Sequence, residues 1–288
     1  MKKVVLSTVA AFAVVAAAPA FAADMPVKAA PAPAVAAPAS PWDVLFGVAF
    51  TTDYELRGIS QSAHKPAVQG YTELDFKAAD WVTLYAGVWG SSLYTGFANA
   101  EFDISGGARF SAGAFGLDVG YVYYDYPDGV PNGFGSFGEF YAKPSYKVAD
   151  WLTIAGVIDG GNNFNNGLGI VGSKSALYYS ANAVITLPWT PVTGVTISVN
   201  PEIGHQTYGT GVKTSFGNTD YTWWDVGVDF NWKAITLDLR YWDTDAKGTL
   251  AGGGAGQCFV FGGHANMDAC SSKFVAMLKF DSAISQLK

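Results

Sequence analysis

Carboxylates outnumber basic side chains in this chain of 288 residues by 24 to 17, and many of them alternate with apolar residues. Asp225 and Asp229, for example, are interleaved with Trp224, Val226 and Val228. Successive side chains of a β-strand point to opposite faces, so this spacing puts both carboxylates on one face. A row of carboxylates can pair with basic side chains, or it can attract cations to a water-filled surface.

The polar face of all the strand-like segments, taken together, carries more acids than bases. Its acids are Asp43, Asp53, Glu55, Glu73, Asp75, Glu101, Asp103, Asp118, Glu139, Asp159, Glu202, Asp225, Asp229 and Asp238. Its bases are Lys77, Arg109, Lys143, Lys147, Arg240, Lys273 and Lys279. If this face lines a pore, the excess of acid predicts a weak preference for cations. The alternative is that acids and bases pair into a network that fills a closed interior.

The only two cysteines, Cys258 and Cys270, lie close together in a late glycine-rich segment. In an exported chain this pair predicts a disulfide bond, because the periplasm is oxidising. Two alternatives are a metal site completed by His264 and a pair of free thiols.

Catalysis needs a nucleophile beside a base, and the three histidines offer little of that arrangement. His64, His205 and His264 all fall in predicted loops, and no G-x-S-x-G motif occurs. The sequence therefore predicts no enzymatic activity, no cofactor and no metal site. The net charge of −7 without a basic patch also argues against nucleic acid as a partner.

The elements that carry these side chains are β-strands. From Trp42 to Phe280, about 12 segments alternate apolar and polar residues, with no helical pattern between them. Each segment is close to the 9–11 residues that cross a bilayer when a strand is tilted. The composition agrees, because charged residues make up 14% of the chain and aromatic residues 15%. The predicted fold is an all-β, transmembrane, antiparallel up-and-down barrel of about 12 strands.

Alternation alone does not say which face points outward, since a soluble barrel has the same period. The apolar face carries no charged residue within any predicted strand interior. The connections also alternate between short turns, such as Ser111–Ala114, and long loops, such as Arg57–Ala67 and Gly160–Ser175. Aromatic residues recur at strand ends, as in an interfacial girdle: Trp42, Trp81, Trp151, Trp189, Trp232 and Tyr241. These features predict an apolar face toward lipid, with the short turns on the periplasmic side.

The N-terminal segment has the layout of a cleavable secretory signal. Lys2 and Lys3 precede the apolar run Val4–Ala18, and small residues predict cleavage between Ala22 and Ala23. The following Ala/Pro-rich stretch, residues 23–41, is predicted to be a disordered periplasmic tether. The barrel is predicted over residues 42–280, with a short tail at 281–288. The predicted location is the outer membrane, reached through the periplasm.

Several segments resemble the TorF-type porin family. The resemblance begins at Asp53-Tyr54, Arg57–Ser62 and Pro66–Gly70, and it continues through Tyr85–Ser91, Gly120–Tyr124 with Pro127, and Glu139–Tyr141. It covers Phe46 to Asp159 well, and the remainder only by strand pattern. The resemblance implies an outer-membrane porin-like barrel and transfers no catalytic residue. One departure is the C-terminus, because Phe280 is followed by eight further residues instead of ending the chain.

Together these features predict a Gram-negative porin-like channel for passive diffusion of small hydrophilic solutes, weakly selective for cations. The alternative is a closed structural or adhesive barrel that acts through its extracellular loops. The expected partners are outer-membrane lipid, small hydrophilic solutes and the barrel-assembly machinery. Neither the solute nor the oligomeric state follows from the residues.

Overall fold

The computed structural model describes residues 40–95, 98–127, 136–162, 173–216, 219–247, 258 and 269–287. The predicted signal peptide, nearly all of the predicted tether, and His264 lie outside these ranges.

The described residues form a closed barrel of 12 antiparallel strands, together with one two-stranded hairpin. In chain order the strands are β1 (Trp42–Thr51), β2 (Glu55–Leu56), β3 (Ile59–Ser60), β4 (Ala67–Ala79), β5 (Val82–Ser92), β6 (Ala100–Ala112), β7 (Phe115–Asp125), β8 (Phe137–Ala149), β9 (Leu152–Gly161), β10 (Ala176–Thr186), β11 (Val195–Tyr208), β12 (Tyr221–Trp232), β13 (Ile235–Thr244) and β14 (Lys273–Ala283). Strands β2 and β3 form the hairpin, and the others follow one another around the barrel until β14 pairs with β1. This architecture confirms the predicted barrel.

The two faces of the strands differ as the period of two predicts. On the outer face, Val226 and Leu239 are 45% and 44% exposed. On the inner face, Asp225 and Asp238 are 5% and 3% exposed. An apolar outer surface around a polar interior suits lipid outside the barrel, because water would favour the reverse arrangement. In the described part of the chain, no helix is both long enough and apolar enough to cross a membrane.

The connections differ in length between the two rims of the barrel. Two-residue turns join β6 to β7, β8 to β9 and β12 to β13, and the last of these uses Lys233 with a φ of 54°. The opposite rim carries the long connections, including the one that contains helix α1 (Thr210–Phe216). We refer to these rims as the short-turn rim and the long-loop rim.

Two predicted boundaries are corrected by the structure. His205 was expected in a loop, but it lies in β11, whose antiparallel pairing with β12 extends as far as Gln206. The last strand ends at Ala283 and not at Phe280, so residues 281–283 belong to the barrel. There the hydroxyl of Tyr71 donates to Asp281 Oδ1 at 3.0 Å, which ties this extension to β4.

A further correction concerns the segment from Arg57 to Ala67, which the sequence predicts to be an extracellular loop. Its beginning is instead part of the hairpin β2–β3, turned by Arg57 and Gly58 with φ values of 50° and 78°. Two consecutive positive φ angles are typical of the tight turn whose twist matches paired strands. A Cβ at Gly58 would lie 2.5 Å from Trp223 Cβ, so only glycine fits where the turn meets β12.

Candidate functional site

The candidate site is the inner surface of the barrel, here called the lumen. Buried polar side chains occupy much of it, which is the opposite of a soluble protein's core. The lumenal acids with less than 10% exposure include Glu73, Glu101, Asp103, Asp118, Glu139, Asp159, Glu202, Asp225 and Asp238. Buried carboxylates are costly unless they are paired, so their partners determine what the lumen can do.

One arginine organises the wall formed by β4 to β7. Arg109 donates to both oxygens of Glu73, at 2.7 and 2.8 Å, and reaches Asp75 at 3.3 Å and Asp118 at 3.4 Å. Its guanidinium also lies 3.8 Å from the ring centre of Tyr85. Three predicted lumenal residues, Asp75, Arg109 and Asp118, therefore belong to one network.

A second arginine organises the opposite wall. Arg240 on β13 donates to Asp225, to Asp238 at 3.2 Å, and to the backbone carbonyl of Asn200 at 3.4 Å. Lys279 approaches the same Asp238 oxygen at 3.9 Å. Asp225, Asp238 and Arg240, all predicted to line the lumen, thus form a second network.

The third arginine is Arg57, at the tip of the hairpin β2–β3. It donates to Glu139 Oε2 at 2.8 Å, to Asp159 Oδ2 at 2.9 Å and to Gln206 Oε1 at 2.9 Å. Its guanidinium carbon lies 4.2 Å from the ring centre of Tyr178. The hairpin follows β1, whereas Glu139 and Asp159 lie on β8 and β9, which face β1 across the barrel. Arg57 therefore bridges the lumen.

The electrostatic surroundings keep Arg57 charged. Burial alone would lower the pKa of its guanidinium, but the nearby Glu139, Tyr124 and Asp159 more than offset this effect. The net result is a pKa well above the ordinary value for arginine. The hairpin tip is consequently a fixed positive charge in the lumen.

The base of the hairpin is fixed by Asp53. The hydroxyls of Ser60 and Ser62 donate to Asp53 Oδ1 at 2.6 and 2.7 Å, and His64 Nδ1 lies 2.8 Å from Asp53 Oδ2. On the adjacent wall, the hydroxyl of Tyr54 donates to Glu101 at 2.9 Å. These bonds join the two ends of the hairpin to each other and tie Tyr54 to β6.

The sequence did not identify Arg57 as a lumenal residue. Arg57 belongs to the segment that resembles the TorF-type porins, but the alternating pattern of the strands assigns this connection to a loop. A local signal was nevertheless present, since Arg57-Gly58 sits between two short alternating pairs and has the composition of a two-residue turn. Of the other predicted residues, Glu101 and Asp103 lie together on β6, and Asp229 lies on β12 near the second network.

Some lumenal polar atoms have no hydrogen-bond partner within the described protein. They include both amide atoms of Asn182 on β10, Asp225 Oδ2 and Asp238 Oδ1. Buried polar atoms of this kind are normally satisfied by ordered water. The wall from β10 to β13 is therefore suited to contact with water.

A cavity of about 60 Å³ lies beside Arg57, toward the long-loop rim. Its lining combines aromatic rings with polar ends, and includes Arg57, Tyr124, Tyr126, Phe137, Glu139, Gln206, Tyr208 and Tyr221. The volume is sufficient for several water molecules or a very small solute.

The long-loop rim is also held by a disulfide bond between Cys258 and Cys270. Both cysteines are buried, and the neighbouring Ala269 accepts a hydrogen bond from the backbone N–H of Ser60 at 2.9 Å. The disulfide thus lies next to Ala269, the residue that contacts the hairpin at Ser60. Among the described residues, no group of three or more His, Cys, Asp and Glu could hold a metal ion.

Mass spectrometry tests the disulfide directly. We expect protein exported by cells with an oxidising periplasm to yield a linked peptide pair containing Cys258 and Cys270 under non-reducing conditions. Closing a loop of this size restricts the unfolded chain, which stabilises the fold by about 3 kcal/mol. Reduction before digestion is the control and should separate the pair. Two free thiols in the unreduced sample would contradict the assignment.

Comparison with known proteins agrees with this fold. A structure from work on the in-meso crystallization of membrane proteins shares 10% identity over 84% of each chain, with a TM-score of 0.50. The NanC porin shares 8% identity over 83% of this chain and 98% of its own, with a TM-score of 0.45. An outer membrane channel from Pseudomonas putida F1 shares 11% identity over 86% of this chain and 97% of its own, with a TM-score of 0.45.

At these identities a likeness concerns the fold alone, and the two structures with TM-scores of 0.45 add no argument. No curated protein sequence matches the chain. A family profile does match, over residues 35–270, and its description is "Bacterial protein of unknown function (Gcw_chp)". Because this match covers most of the sequence, the chain belongs to the bacterial Gcw_chp family.

Proposed function

We propose that this protein is an outer-membrane porin-like channel for passive diffusion of small hydrophilic solutes. The observation that carries the proposal is the set of lumenal polar atoms without a protein partner, among them the amide of Asn182 and one oxygen each of Asp225 and Asp238. These atoms need water, and water along the wall from β10 to β13 offers a path for small polar solutes. The proposal assigns no catalytic reaction.

The outer membrane is the location that best suits this architecture. A barrel with an apolar outer face and a polar lumen is the form in which strands satisfy their backbone groups in lipid. The signal-like N-terminus supports export, and the resemblance to TorF-type porins supports the same assignment. In the proposed orientation the short-turn rim faces the periplasm and the long-loop rim faces outward.

We further propose that conduction is narrow and favours cations. Arg57 bridges the lumen and restricts the passage, so each open channel should carry a small current. Lumenal carboxylates outnumber the arginines that pair with them, which leaves a negative potential along the path. Asp229 on β12 is partly exposed to the lumen and close to Asp238, so it is well placed to act on a passing ion.

Reversal potentials in planar bilayers test the channel and its selectivity together. In a potassium chloride gradient at low ionic strength, we expect the sign that indicates a preference for cations. The preference should shrink at high salt, because the screening length falls from about 30 Å at 0.01 M to about 3 Å at 1 M. Asp229→Asn should weaken the preference without abolishing conduction.

The matched control is Asp243→Asn, which removes the same charge from the outer face of β13. It should leave the reversal potential unchanged, because the side chain does not face the lumen. An anion preference in the unmodified protein would overturn the proposed selectivity. Equal effects of Asp229→Asn and Asp243→Asn would show that the wall of β12 does not control it.

A closed structural or adhesive barrel is the second candidate, and it is favoured by a different observation. Arg57, Arg109 and Arg240 pair with acids from several strands, and such networks can fill a barrel and make it rigid. On this reading the long loops would contact other molecules. Bilayers that stay silent after many verified insertions would favour this candidate over the channel.

A further inference from the structure

Arg57 contacts more cation-binding groups than a single ion pair would provide: two carboxylates, an amide oxygen and an aromatic ring. We propose that Glu139, Asp159, Gln206 and Tyr178 form a binding site for organic cations with a guanidinium group, and that Arg57 occupies this site as a tethered competitor. As the solute site of a channel, the inference rests on the proposed function, although binding itself does not depend on conduction.

The geometry around the guanidinium is specific for a planar cation. Nη1 and Nη2 of Arg57 donate to the two oxygens of Glu139 at 3.3 and 2.8 Å, which is the two-point contact that favours guanidinium over a spherical ion. Asp159 and Gln206 accept further hydrogen bonds at 2.9 Å. The ring of Tyr178 faces the same cation at 4.2 Å, which adds a cation–π contact.

These four partners are supplied by the rigid wall, whereas the cation is supplied by a hairpin. Glu139, Asp159, Tyr178 and Gln206 lie on the consecutive barrel strands β8, β9, β10 and β11. Arg57 is delivered from the other side of the lumen by strands of only two residues each. The barrel therefore supplies all four partners, and the hairpin supplies only the cation.

The cavity beside Arg57 gives an external ligand a way to the same partners. Arg57, Glu139 and Gln206 belong both to the cation site and to the cavity lining. The cavity lies on the side of the long-loop rim, where solutes would arrive from outside the cell in the proposed orientation. Its tyrosine rings can pack against the apolar part of an organic cation, while the hydroxyls of Tyr124 and Tyr126 donate to Glu139 and Glu101 at 3.2 and 3.3 Å.

Charge determines which ligands the vacated site accepts. Without Arg57, the buried carboxylates of Glu139 and Asp159 would remain beside the space that the guanidinium filled. Two buried carboxylates beside one space favour a cation and disfavour anions. A guanidinium ion satisfies both carboxylates, the amide and the ring at once, whereas sodium lacks the fork of donors.

Titration of Arg57→Ala with guanidinium chloride tests the inference. We expect millimolar guanidinium to raise the melting temperature of the full-length variant in detergent. The melting temperature is measured by heat-dependent gel mobility. The rise should saturate, and half-saturation should require about tenfold less guanidinium than sodium, because only guanidinium gains the forked contacts and the ring. In the unmodified protein the rise should be smaller and should require more guanidinium, since Arg57 competes for the site.

The control variant is Arg57→Ala combined with Glu139→Gln and Asp159→Asn, which should lose the saturable rise. If Arg57→Ala does not fold, Arg57→Gln serves the same purpose, because it removes the guanidinium and keeps the aliphatic part of the side chain. Identical responses to guanidinium and sodium, or an equal rise in the unmodified protein, would overturn the site.

The outcome is separable from that of the channel proposal. Saturable binding in a barrel that never conducts would keep the site and reject the channel. Conduction without any effect of guanidinium would keep the channel and reject the site.

Discussion

Arg240→Leu is expected to lower the free energy of unfolding by about 3–5 kcal/mol, the largest effect that we predict for a single substitution. Leucine cannot donate hydrogen bonds, so it would leave Asp225 and Asp238 buried without the cation that pairs with both. The cost comes from the stranded carboxylates more than from the lost pair itself. Urea-dependent unfolding and refolding in lipid vesicles would measure it.

The control for this prediction removes the stranded charges as well. Combining Arg240→Leu with Asp225→Asn and Asp238→Asn should recover a large part of the loss, because no unpaired charge remains. A second control is Lys77→Gln at the exposed pair with Asp80, which should cost at most about 1 kcal/mol. If Arg240→Leu costs no more than Lys77→Gln, the second network contributes little to stability.

Val226→Arg is expected to destabilise the barrel by about 2–4 kcal/mol through the outer face. Val226 lies near the middle of β12, pairs with Tyr241 on β13, and is 45% exposed on the face assigned to lipid. An arginine there would place a charge close to the bilayer midplane, where hydration is poor. The same unfolding assay in vesicles of fixed chain length measures the change.

Position along the strand gives the matched control. Trp232→Arg changes the same face of β12 at the short-turn rim, where an arginine can reach the lipid headgroups. Its charge should cost about 0–1 kcal/mol, although the loss of the tryptophan ring adds a contribution that Trp232→Leu would measure separately. Equal costs at both depths would contradict a membrane centred on Val226.

The barrel could be predicted because its pattern is local. In each strand, apolar and polar residues alternate and so identify the two faces of the strand. Neighbours such as Val226 and Asp225 keep that period without interruption. The rims could be predicted for a similar reason, since two-residue turns like Lys233-Ala234 stand out between long alternating runs. The fold class, and the face to which each side chain points, could therefore be predicted without knowledge of tertiary contacts.

The contents of the lumen could not be predicted in the same way. Which acid meets which base depends on strand stagger, and Arg109 reaches Glu73 on a strand that is not its neighbour. The role of Arg57 depends on a connection folding inward, and its partners are 82 to 149 residues away in sequence. Counting charges on the polar face treats paired carboxylates, such as Glu73 and Glu139, as if they were free.

The pairing of β1 with β14 also determines how the chain can be assembled. Leu45 lies opposite Ala283, so the contacts that close the barrel join residues more than two hundred positions apart. Pairing at that separation has a large entropic cost before any contact forms, which makes closure slow and places it late. Until then β1 and β14 expose unpaired backbone edges, to which another chain could add. Folding of this protein should therefore be limited by the arrival of its final strand, and a chain truncated before Lys273 should accumulate as an open, aggregation-prone sheet.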